Sequence, residues 1–140
     1  MTSNLEEVFA DTSFWVALVI KQDQCHERAQ TWSLRITHRI ITSVPVLLET
    51  ANMLSRPAWR AVGVALMNRL QQRPDVDVVL LSGDLWQRGW TLFSSRPDKA
   101  WSLTDCISFL VMQDRGLTAA LTADEHFRQA GFRALLLDEP

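Results

Sequence analysis

The sequence has few cysteines, few lysines and no apolar run long enough to cross a membrane. Only Cys25 and Cys106 are cysteines among its 140 residues, which is too few for a disulfide framework or a thiolate zinc site. The longest apolar run, residues 14–20, falls well short of the roughly 20 residues that a membrane span requires. The first ten residues lack the basic and apolar segments of a secretory signal. We therefore expect a soluble, cytoplasmic protein in which both cysteines are buried small apolar side chains.

No strong charge of either sign is present. The formal net charge is -2 and the isoelectric point is about 5.9, which excludes a polycation that coats nucleic acid through charge alone. Lys21 and Lys99 are the only lysines among 14 basic residues; arginine suits phosphate groups, although a genome rich in G and C produces the same bias. Hydrophobic residues make up 47% and charged residues 21%, a balance typical of globular proteins. The length suits a single domain over residues 1–140.

Short apolar runs alternate with longer stretches of helical period, which is typical of an α/β sheet. We predict strands at residues 8–10, 40–43, 76–81, 118–122 and 134–137. We predict helices at residues 12–21, 26–37, 46–54, 57–72, 83–94, 102–115 and 124–130, with Gly116 as a C-cap. The pattern indicates about five short strands joined by right-handed crossovers.

Four acidic residues fall at or near the predicted ends of strands. Asp11 follows the first strand directly, and Asp124 lies just beyond the fourth. Asp105 lies in the first turn of the helix that begins near Ser102, and Glu49 lies in the helix after the second strand. Because ligands bind at the carboxyl ends of the strands in open α/β sheets, we expect these four side chains to form one acidic pocket.

Such a pocket predicts a bound cation. Clustered carboxylates repel each other unless a cation is bound, and at least one pKa is expected to rise. A hard divalent ion with oxygen ligands removes the repulsion, so Mg²⁺ or Mn²⁺ is the expected occupant. The three histidines are scattered and none forms a zinc-like pair with another His or Cys.

Each acidic residue also has a purely structural explanation. Asp11 and Asp124 can cap the helices that follow them, and Asp105 can form a capping box with Ser102. Glu49 has only uncharged neighbours three and four residues away, so it needs a partner or a metal unless its face is exposed to solvent. Taken one at a time, the acids leave both explanations open.

The strings FADTSFWVAL, VPVLLETANML, WSLTDCISF and LTADEHF resemble, in order and spacing, the motifs of PIN-domain nucleases. They are especially similar to the VapC-type toxin ribonucleases of bacterial and archaeal toxin–antitoxin pairs. The resemblance extends from Val8 to about Leu137 and implies a three-layer α/β/α sandwich around a mainly parallel, roughly five-stranded sheet. Matched by position, it implies catalytic and metal-binding roles for Asp11, Glu49, Asp105 and Asp124, with supporting hydroxyls at Thr12, Ser13, Thr104 and Thr122.

The resemblance further implies a metal-dependent endoribonuclease that cleaves RNA phosphodiester bonds as the toxin of a type II toxin–antitoxin system. Bound Mg²⁺ or Mn²⁺ acidifies water and acts as a Lewis acid in such reactions. The implied partners are an RNA substrate, a small antitoxin protein and a second copy of the chain. Two alternatives remain: a non-catalytic PIN-like module that binds RNA or protein, and a phosphohydrolase that forms an aspartyl-phosphate on Asp11. The second class has an acid two residues further on, where this chain has Ser13.

Contacts with the substrate are harder to predict. Arg96 and Lys99 are our candidates for binding phosphate, and Asp98 between them is expected to be solvated. We interpret His126 as a structural residue at the start of a helix. Among the aromatic residues, Trp59 and Trp101 are candidates for base stacking, whereas Trp15, Trp32 and Trp90 lie in apolar helical patterns and are predicted in the core.

The helix predicted from Pro57 carries apolar side chains on more than one face. Helices of this kind are commonly buried on two sides. One side is expected to pack on the sheet, and the other against a second subunit or an antitoxin helix. The alternative is that the neighbouring helix, residues 46–54, covers it.

Overall fold

The computed structural model describes residues 7–140, and five strands and seven α-helices lie within that range. The strands are β1 (Glu7–Ala10), β2 (Arg39–Ser43), β3 (Val76–Val79), β4 (Ala119–Leu121) and β5 (Arg133–Ala134). The helices are α1 (Thr12–Val19), α2 (His26–Arg35), α3 (Val44–Met53), α4 (Pro57–Gln72), α5 (Gly83–Ser95), α6 (Leu103–Arg115) and α7 (Glu125–Gln129).

All five strands form one parallel sheet in the order β3-β2-β1-β4-β5. The central strand β1 is paired on both sides: Phe9 lies opposite Ile41 of β2 and Ala120 of β4. With right-handed crossovers, the helices between β1 and β3 cover one face of the sheet and those after β3 cover the other. The predicted three-layer α/β fold is therefore confirmed, and the carboxyl ends of β1, β2 and β4 lie side by side.

Local sequence signals define where several helices begin and end. The hydroxyl of Ser43 accepts a hydrogen bond from the backbone N–H of Val46, and that of Ser82 accepts one from Leu85. Gly116 ends α6 in the left-handed conformation, with φ of 66°, as predicted from the preference of this position for glycine.

The last predicted strand, residues 134–137, is mostly not a strand. Only Arg133–Ala134 pair with β4, and the chain then forms a 3₁₀ helix over Leu135–Leu137. Leu135 and Leu136 are fully buried. The apolar run therefore reflects burial in the core, which a strand and a short helix satisfy equally well.

Two glycines allow helices to pack closely. A Cβ at Gly89 of α5 would lie 2.6 Å from Cγ1 of Ile107 in α6. A Cβ at Gly63 of α4 would lie 2.9 Å from Cβ of Leu54, directly after α3. The segment that follows α3 thus covers part of α4, in agreement with the alternative considered for that helix.

The tryptophans divide differently from the prediction. Trp15 and Trp32 are buried as predicted, but Trp90 is 49% exposed, so its assignment to the core was wrong. The period of α5 places Trp90 on a face where, among the described residues, only Trp86 and Phe93 of the same helix have rings near it, so about half of the side chain is exposed. Trp101, a candidate for base stacking, is buried, and its indole N–H donates to Oε1 of Gln129 at 3.1 Å.

Both cysteines are free thiols. Cys106 is buried as predicted, whereas Cys25 is only partly buried. Within residues 7–140, no helix combines the length and apolar character that a membrane crossing requires.

Candidate active site

Asp11 lies between β1 and α1 and is 5% exposed. It occupies the N-cap position of α1, yet its side chain makes no capping hydrogen bond, so capping does not explain this residue. Its Oδ2 instead accepts hydrogen bonds from the hydroxyl of Thr122 at 3.0 Å and from that of Ser13 at 3.3 Å. The carboxylate is therefore held by side chains that follow β4 and begin α1.

The pKa of Asp11 is raised from 3.8 to about 7, and burial is the largest cause. The negative charges of Asp105 and Glu49 also contribute to the rise, while hydrogen bonds from the Thr12 backbone and the Thr122 hydroxyl oppose it. Three of the predicted acids thus lie close enough to interact electrostatically. A proton or a cation must balance the charge of Asp11 at neutral pH.

The hydroxyl groups of Ser13 and Thr122 both contact the carboxylate of Asp11. Their oxygens are 3.2 Å apart. The Ser13 oxygen also accepts from the backbone N–H of Ala123 at 3.0 Å, and the Thr122 oxygen accepts from that of Asp124 at 3.1 Å. These bonds fix the loop after β4 against the start of α1.

The other two predicted hydroxyls lie in different surroundings. The Thr12 hydroxyl donates to the carbonyl oxygen of Val46 in α3 at 3.4 Å, so it joins two helices instead of contacting a carboxylate. Its backbone N–H, not its hydroxyl, serves Asp11. Thr104 is half-buried and lines a groove together with Glu49.

Asp105 both caps α6 and belongs to the acidic cluster. Its backbone N–H donates to the Ser102 hydroxyl at 2.9 Å, and its Oδ2 accepts from the Ser102 backbone N–H at 3.1 Å, which completes a capping box. Burial raises the pKa of Asp105, and the charge of Asp124 adds to this, whereas hydrogen bonds from Ser102 and His126 oppose it. The capping explanation is correct, but it does not exclude a role in the site.

Asp124 caps α7, and its Oδ1 accepts from the backbone N–H of His126 at 2.9 Å. The ring nitrogen Nδ1 of His126 lies 3.0 Å from Oδ2 of Asp105 and 3.2 Å from Oδ1 of Asp124. The interpretation of His126 as a purely structural residue therefore missed its contact with the cluster. Its spacing from the capping aspartate was the available signal, because a side chain two residues after an N-cap can return to the same carboxylate.

Glu49 is half-buried on α3, and its charge reaches Asp11. Among the described residues it has no salt bridge. It lines an apolar groove of about 500 Å³ between α3, α5 and α6. Leu48, Met53, Trp86 and Ile107 also line this groove.

The candidate phosphate ligands lie in the loop before α6. Nε and Nη2 of Arg96 donate to the two carboxylate oxygens of Asp98, each at 3.0 Å, and the guanidinium lies 5.0 Å from the centre of the Trp101 ring. Lys99 lies 5.9 Å from the same ring. Asp98 is thus paired as well as exposed, and Arg96 is largely occupied. Further away, Arg56 stacks on Trp59 at 3.9 Å.

The cluster as a whole suits a divalent cation. Asp105, Asp124 and His126 each offer a ligand atom, and these atoms lie within 4.8 Å of one another. Asp11, which interacts by charge with both Asp105 and Glu49, links two further carboxylates to this group. Oxygen-rich sites of this kind bind Mg²⁺, Mn²⁺ and related ions.

Comparisons with known proteins agree with this geometry. The PIN domain family matches residues 8–133. The 23S rRNA-specific endonuclease VapC20 of Mycobacterium tuberculosis is 31% identical over 125 residues, which cover 89% of this chain and 95% of that protein. The crystal structure of the same toxin, described as cleaving the sarcin-ricin loop, superposes with a TM-score of 0.84 at 30% identity, with 89% of this chain and 95% of that chain covered.

Two more distant structures share the fold. VapBC2 of Rickettsia felis, bound to a promoter DNA fragment, has a TM-score of 0.66 at 11% identity and covers 91% of this chain and 96% of its own. FitAcB of Neisseria gonorrhoeae has a TM-score of 0.66 at 16% identity and covers 91% and 94%. The family match and the similarity to VapC20 together show that this chain belongs to the PIN-domain family of VapC-type toxin ribonucleases.

Proposed function

We propose that this protein is a metal-dependent endoribonuclease, the toxin of a type II toxin–antitoxin pair, and that its substrate is ribosomal RNA in the cytoplasm. The observation that carries the proposal is the buried carboxylate of Asp11, whose pKa is raised to about 7 beside Asp105 and Glu49. The relative VapC20 supports the substrate, because its described target is 23S rRNA and 95% of its length is matched.

Asp11 and Asp105 are the proposed direct metal ligands, and Glu49 and Asp124 are proposed to bind the metal or the water around it. A bound Mg²⁺ or Mn²⁺ would supply an acidified water and a Lewis acid for the phosphate. The chain would hold the four carboxylates oriented and close together, and the bound ion would favour the ionised form of Asp11, whose pKa the protein raises. Hydrogen bonds from Thr122 and Ser13 orient Asp11, the capping box of α6 orients Asp105, and the N-cap hydrogen bond of α7 orients Asp124.

We propose Lys99 as the main phosphate contact of the loop before α6, with Arg96 as its support. Arg96 is already bonded to Asp98 on two sides. Lys99 has no salt bridge among the described residues, and its Nζ lies over the Trp101 ring, 5.9 Å from the ring centre. Substituting Lys99→Ala is expected to raise KM for RNA more than it lowers kcat.

The two alternative functions receive less support. An aspartyl-phosphate mechanism needs a second acid where Ser13 stands, and the Ser13 hydroxyl is engaged with Asp11 and Ala123. A non-catalytic module would not need Asp11 and Asp105 to be buried with raised pKa values.

Cleavage of RNA tests the proposal directly. The purified protein is incubated with an RNA that contains the sarcin-ricin loop, with Mg²⁺ or Mn²⁺ and separately with EDTA, and in parallel with a phosphate monoester. We expect RNA cleavage that EDTA, Asp11→Asn and Asp105→Asn each abolish, while the exposed control Asp84→Asn stays active. Cleavage that persists in EDTA would reject the metal mechanism, and hydrolysis of the monoester alone would favour the phosphohydrolase.

For the antitoxin, we propose the groove of about 510 Å³ between α1, α2 and α4. Leu34, at 87% exposure, together with Leu18 and Val62 gives it an apolar wall, and Arg69 and Arg73 lie at its edge. This composition fits an amphipathic segment with acidic residues on its polar side. In this proposal α4 contributes one wall of the partner surface, as the sequence led us to expect. The similarity in fold to VapBC2 and FitAcB supports an antitoxin partner.

For a homodimer, we propose a different surface from the one expected on α4. Trp86, Trp90 and Phe93 form an aromatic ridge along α5, with ring centres 6.3 Å and 5.7 Å apart. All three are at least 40% exposed, and Leu48 and Met53 of α3 extend the apolar area. Exposed apolar surface of this extent marks an interaction site, and α4 exposes much less.

A crossed pair of variants separates the two surfaces. Trp90→Glu on the aromatic ridge is expected to convert the dimer to the 16.0 kDa monomer in sedimentation while antitoxin binding persists. Leu34→Glu is expected to leave the dimer intact and to abolish co-purification of the small protein encoded next to this gene. A wild-type monomer at micromolar concentration would reject the dimer, and a dimer that survives Trp90→Glu would reject the aromatic ridge.

A further inference from the structure

The Asp105–Asp124 side of the site contains a nitrogen donor as well as oxygen donors. Nδ1 of His126 lies 3.0 Å from Oδ2 of Asp105 and 3.2 Å from Oδ1 of Asp124. A single nitrogen therefore faces two carboxylate oxygens from different elements. The imidazole is not deeply enclosed, since 28% of the His126 side chain is exposed.

These spacings match the edges of a coordination octahedron. An ion with metal–ligand bonds of about 2.1 Å holds adjacent ligand atoms about 3.0 Å apart and opposite ones about 4.2 Å apart. The two measured distances correspond to adjacent ligands, and the three donors lie within 4.8 Å of one another. Asp105, Asp124 and His126 therefore already place three donor atoms at spacings that suit neighbouring positions of one coordination octahedron.

Backbone N–H groups hold the two oxygens independently of the imidazole ring of His126. Oδ2 of Asp105 accepts from the N–H of Ser102, and Oδ1 of Asp124 accepts from the N–H of His126. Both bonds belong to helix caps, on α6 and α7. The carboxylates would therefore keep their positions if the imidazole gave up its contact with them and bound an ion instead.

We propose that His126 is a metal ligand beside Asp105 and Asp124, and that this mixed nitrogen and oxygen site selects Mn²⁺ over Mg²⁺. The inference rests on the proposed function and concerns the same site. Mg²⁺ prefers oxygen ligands and gains little from an imidazole, whereas imidazole nitrogen suits transition metals. The four carboxylates alone would accept either ion.

Pulsed electron paramagnetic resonance of bound Mn²⁺ tests the inference without relying on activity. A directly coordinated imidazole produces a ¹⁴N coupling in the Mn²⁺ spectrum, and we expect this signal in the wild-type protein. His126→Ala is expected to remove it, and the exposed control His38→Ala is expected to retain it. Calorimetry with each ion should show that His126→Ala weakens Mn²⁺ binding about tenfold or more and changes Mg²⁺ binding much less.

His126→Asn separates a ligand from a residue that only positions the carboxylates. The amide nitrogen of asparagine takes the place of Nδ1, so it can bond both aspartates but does not coordinate Mn²⁺ as imidazole does. We expect His126→Asn to lose the ¹⁴N coupling and the preference for Mn²⁺. Wild-type preference in this variant, or bound Mn²⁺ without ¹⁴N coupling in the wild type, would overturn the inference. RNA cleavage that remains dependent on metal would still uphold the proposed function in either case.

Discussion

The hydroxyl of Thr122 donates to Oδ2 of Asp11 at 3.0 Å across the boundary between two neighbouring strands. The two residues directly follow β4 and β1, and the backbone N–H of Asp11 also donates to the carbonyl oxygen of Leu121 at 3.1 Å. The parallel pairing of these strands therefore sets the position of the most buried acid in the site. The hydrogen bond from the Thr122 hydroxyl lowers the pKa of Asp11 and so opposes the effect of burial.

Thr122→Val is expected to reduce RNA cleavage about 10- to 100-fold, the usual cost of removing a partner that orients a metal ligand. Loss of the hydrogen bond also raises the pKa of Asp11 in the metal-free protein, so a proton competes more strongly with the ion and, at a metal concentration below saturation, the ascending limb of the pH–rate profile should move to higher pH. Single-turnover rates between pH 6 and 9 measure both effects. Thr118→Val, an exposed position before β4, serves as the control. An unshifted pH profile would argue against this role of Thr122.

Asp11→Asn is expected to abolish cleavage and yet to stabilise the metal-free protein at pH 8. The native state holds the pKa of Asp11 near 7, against 3.8 for the ordinary group, so ionising the carboxylate opposes folding. The rise corresponds to an upper limit of about 4 kcal/mol at a pH above both values. Urea denaturation in EDTA measures the gain. The exposed control Asp84→Asn should change stability by less than about 0.5 kcal/mol.

The pH dependence of that gain has a defined sign. Between pH 4 and 7 the native state binds more protons at Asp11 than the unfolded state does, so the stability of the wild type falls as the pH rises. The difference between Asp11→Asn and wild type should therefore be near zero at pH 3, grow through this range and level off above pH 7. A difference that is constant with pH would show that Asp11 is ionised freely in the native state.

Addition of Mn²⁺ should stabilise the wild type more at pH 8 than at pH 5. At pH 5 a proton is bound to Asp11 and competes with the ion. At pH 8 the carboxylate is ionised, and the bound ion balances its negative charge. An ion present at about 100 times its Kd adds about 2.7 kcal/mol. Thermal denaturation with and without Mn²⁺ at the two pH values provides the comparison, and Asp11→Asn should lose most of the effect. Equal stabilisation at both pH values would contradict the assignment of Asp11 as a ligand.

Gly89→Ala is expected to destabilise the protein by about 1–3 kcal/mol, the usual cost of overpacking. The new Cβ would lie 2.6 Å from Cγ1 of Ile107, so either the Ile107 side chain changes its rotamer or α5 and α6 move apart. Gly83→Ala is the matched control, because nothing lies within 4 Å of a Cβ at that position in the first turn of the same helix. The double variant Gly89→Ala with Ile107→Ala should recover part of the lost stability relative to the sum of the single changes. Equal stability of the two glycine variants would show that the helices adjust freely.

Much of the fold could be predicted from local signals. The capping box of Ser102 and Asp105 and the glycine after α6 act within a few residues, so the sequence displays them directly. The positions of Asp11 and Asp124 after strands led to the expectation of one acidic site for a similar reason, since strand ends meet at one edge of a parallel sheet.

What failed depends on contacts between distant segments. An apolar run does not show whether it is buried as a strand or as a 3₁₀ helix, so the strand prediction was wrong for residues 135–137. The helical period shows that Trp90 lies on an apolar face of α5, but it does not show whether another helix covers that face. The contact of His126 with Asp105 joins α7 to α6, and neither segment alone indicates it.

Asp11 and Thr122 are 111 positions apart in the sequence, so they leave the ribosome at different times during translation. Asp11 leaves the ribosome well before Thr122, Asp124 and His126 are synthesised. Until those residues emerge, β1 lacks one of its two neighbours and Asp11 lacks its hydrogen-bond donor. A growing chain therefore carries the buried acid of the site before the residues that orient it, and the acidic cluster is complete only after Thr122, Asp124 and His126 have left the ribosome.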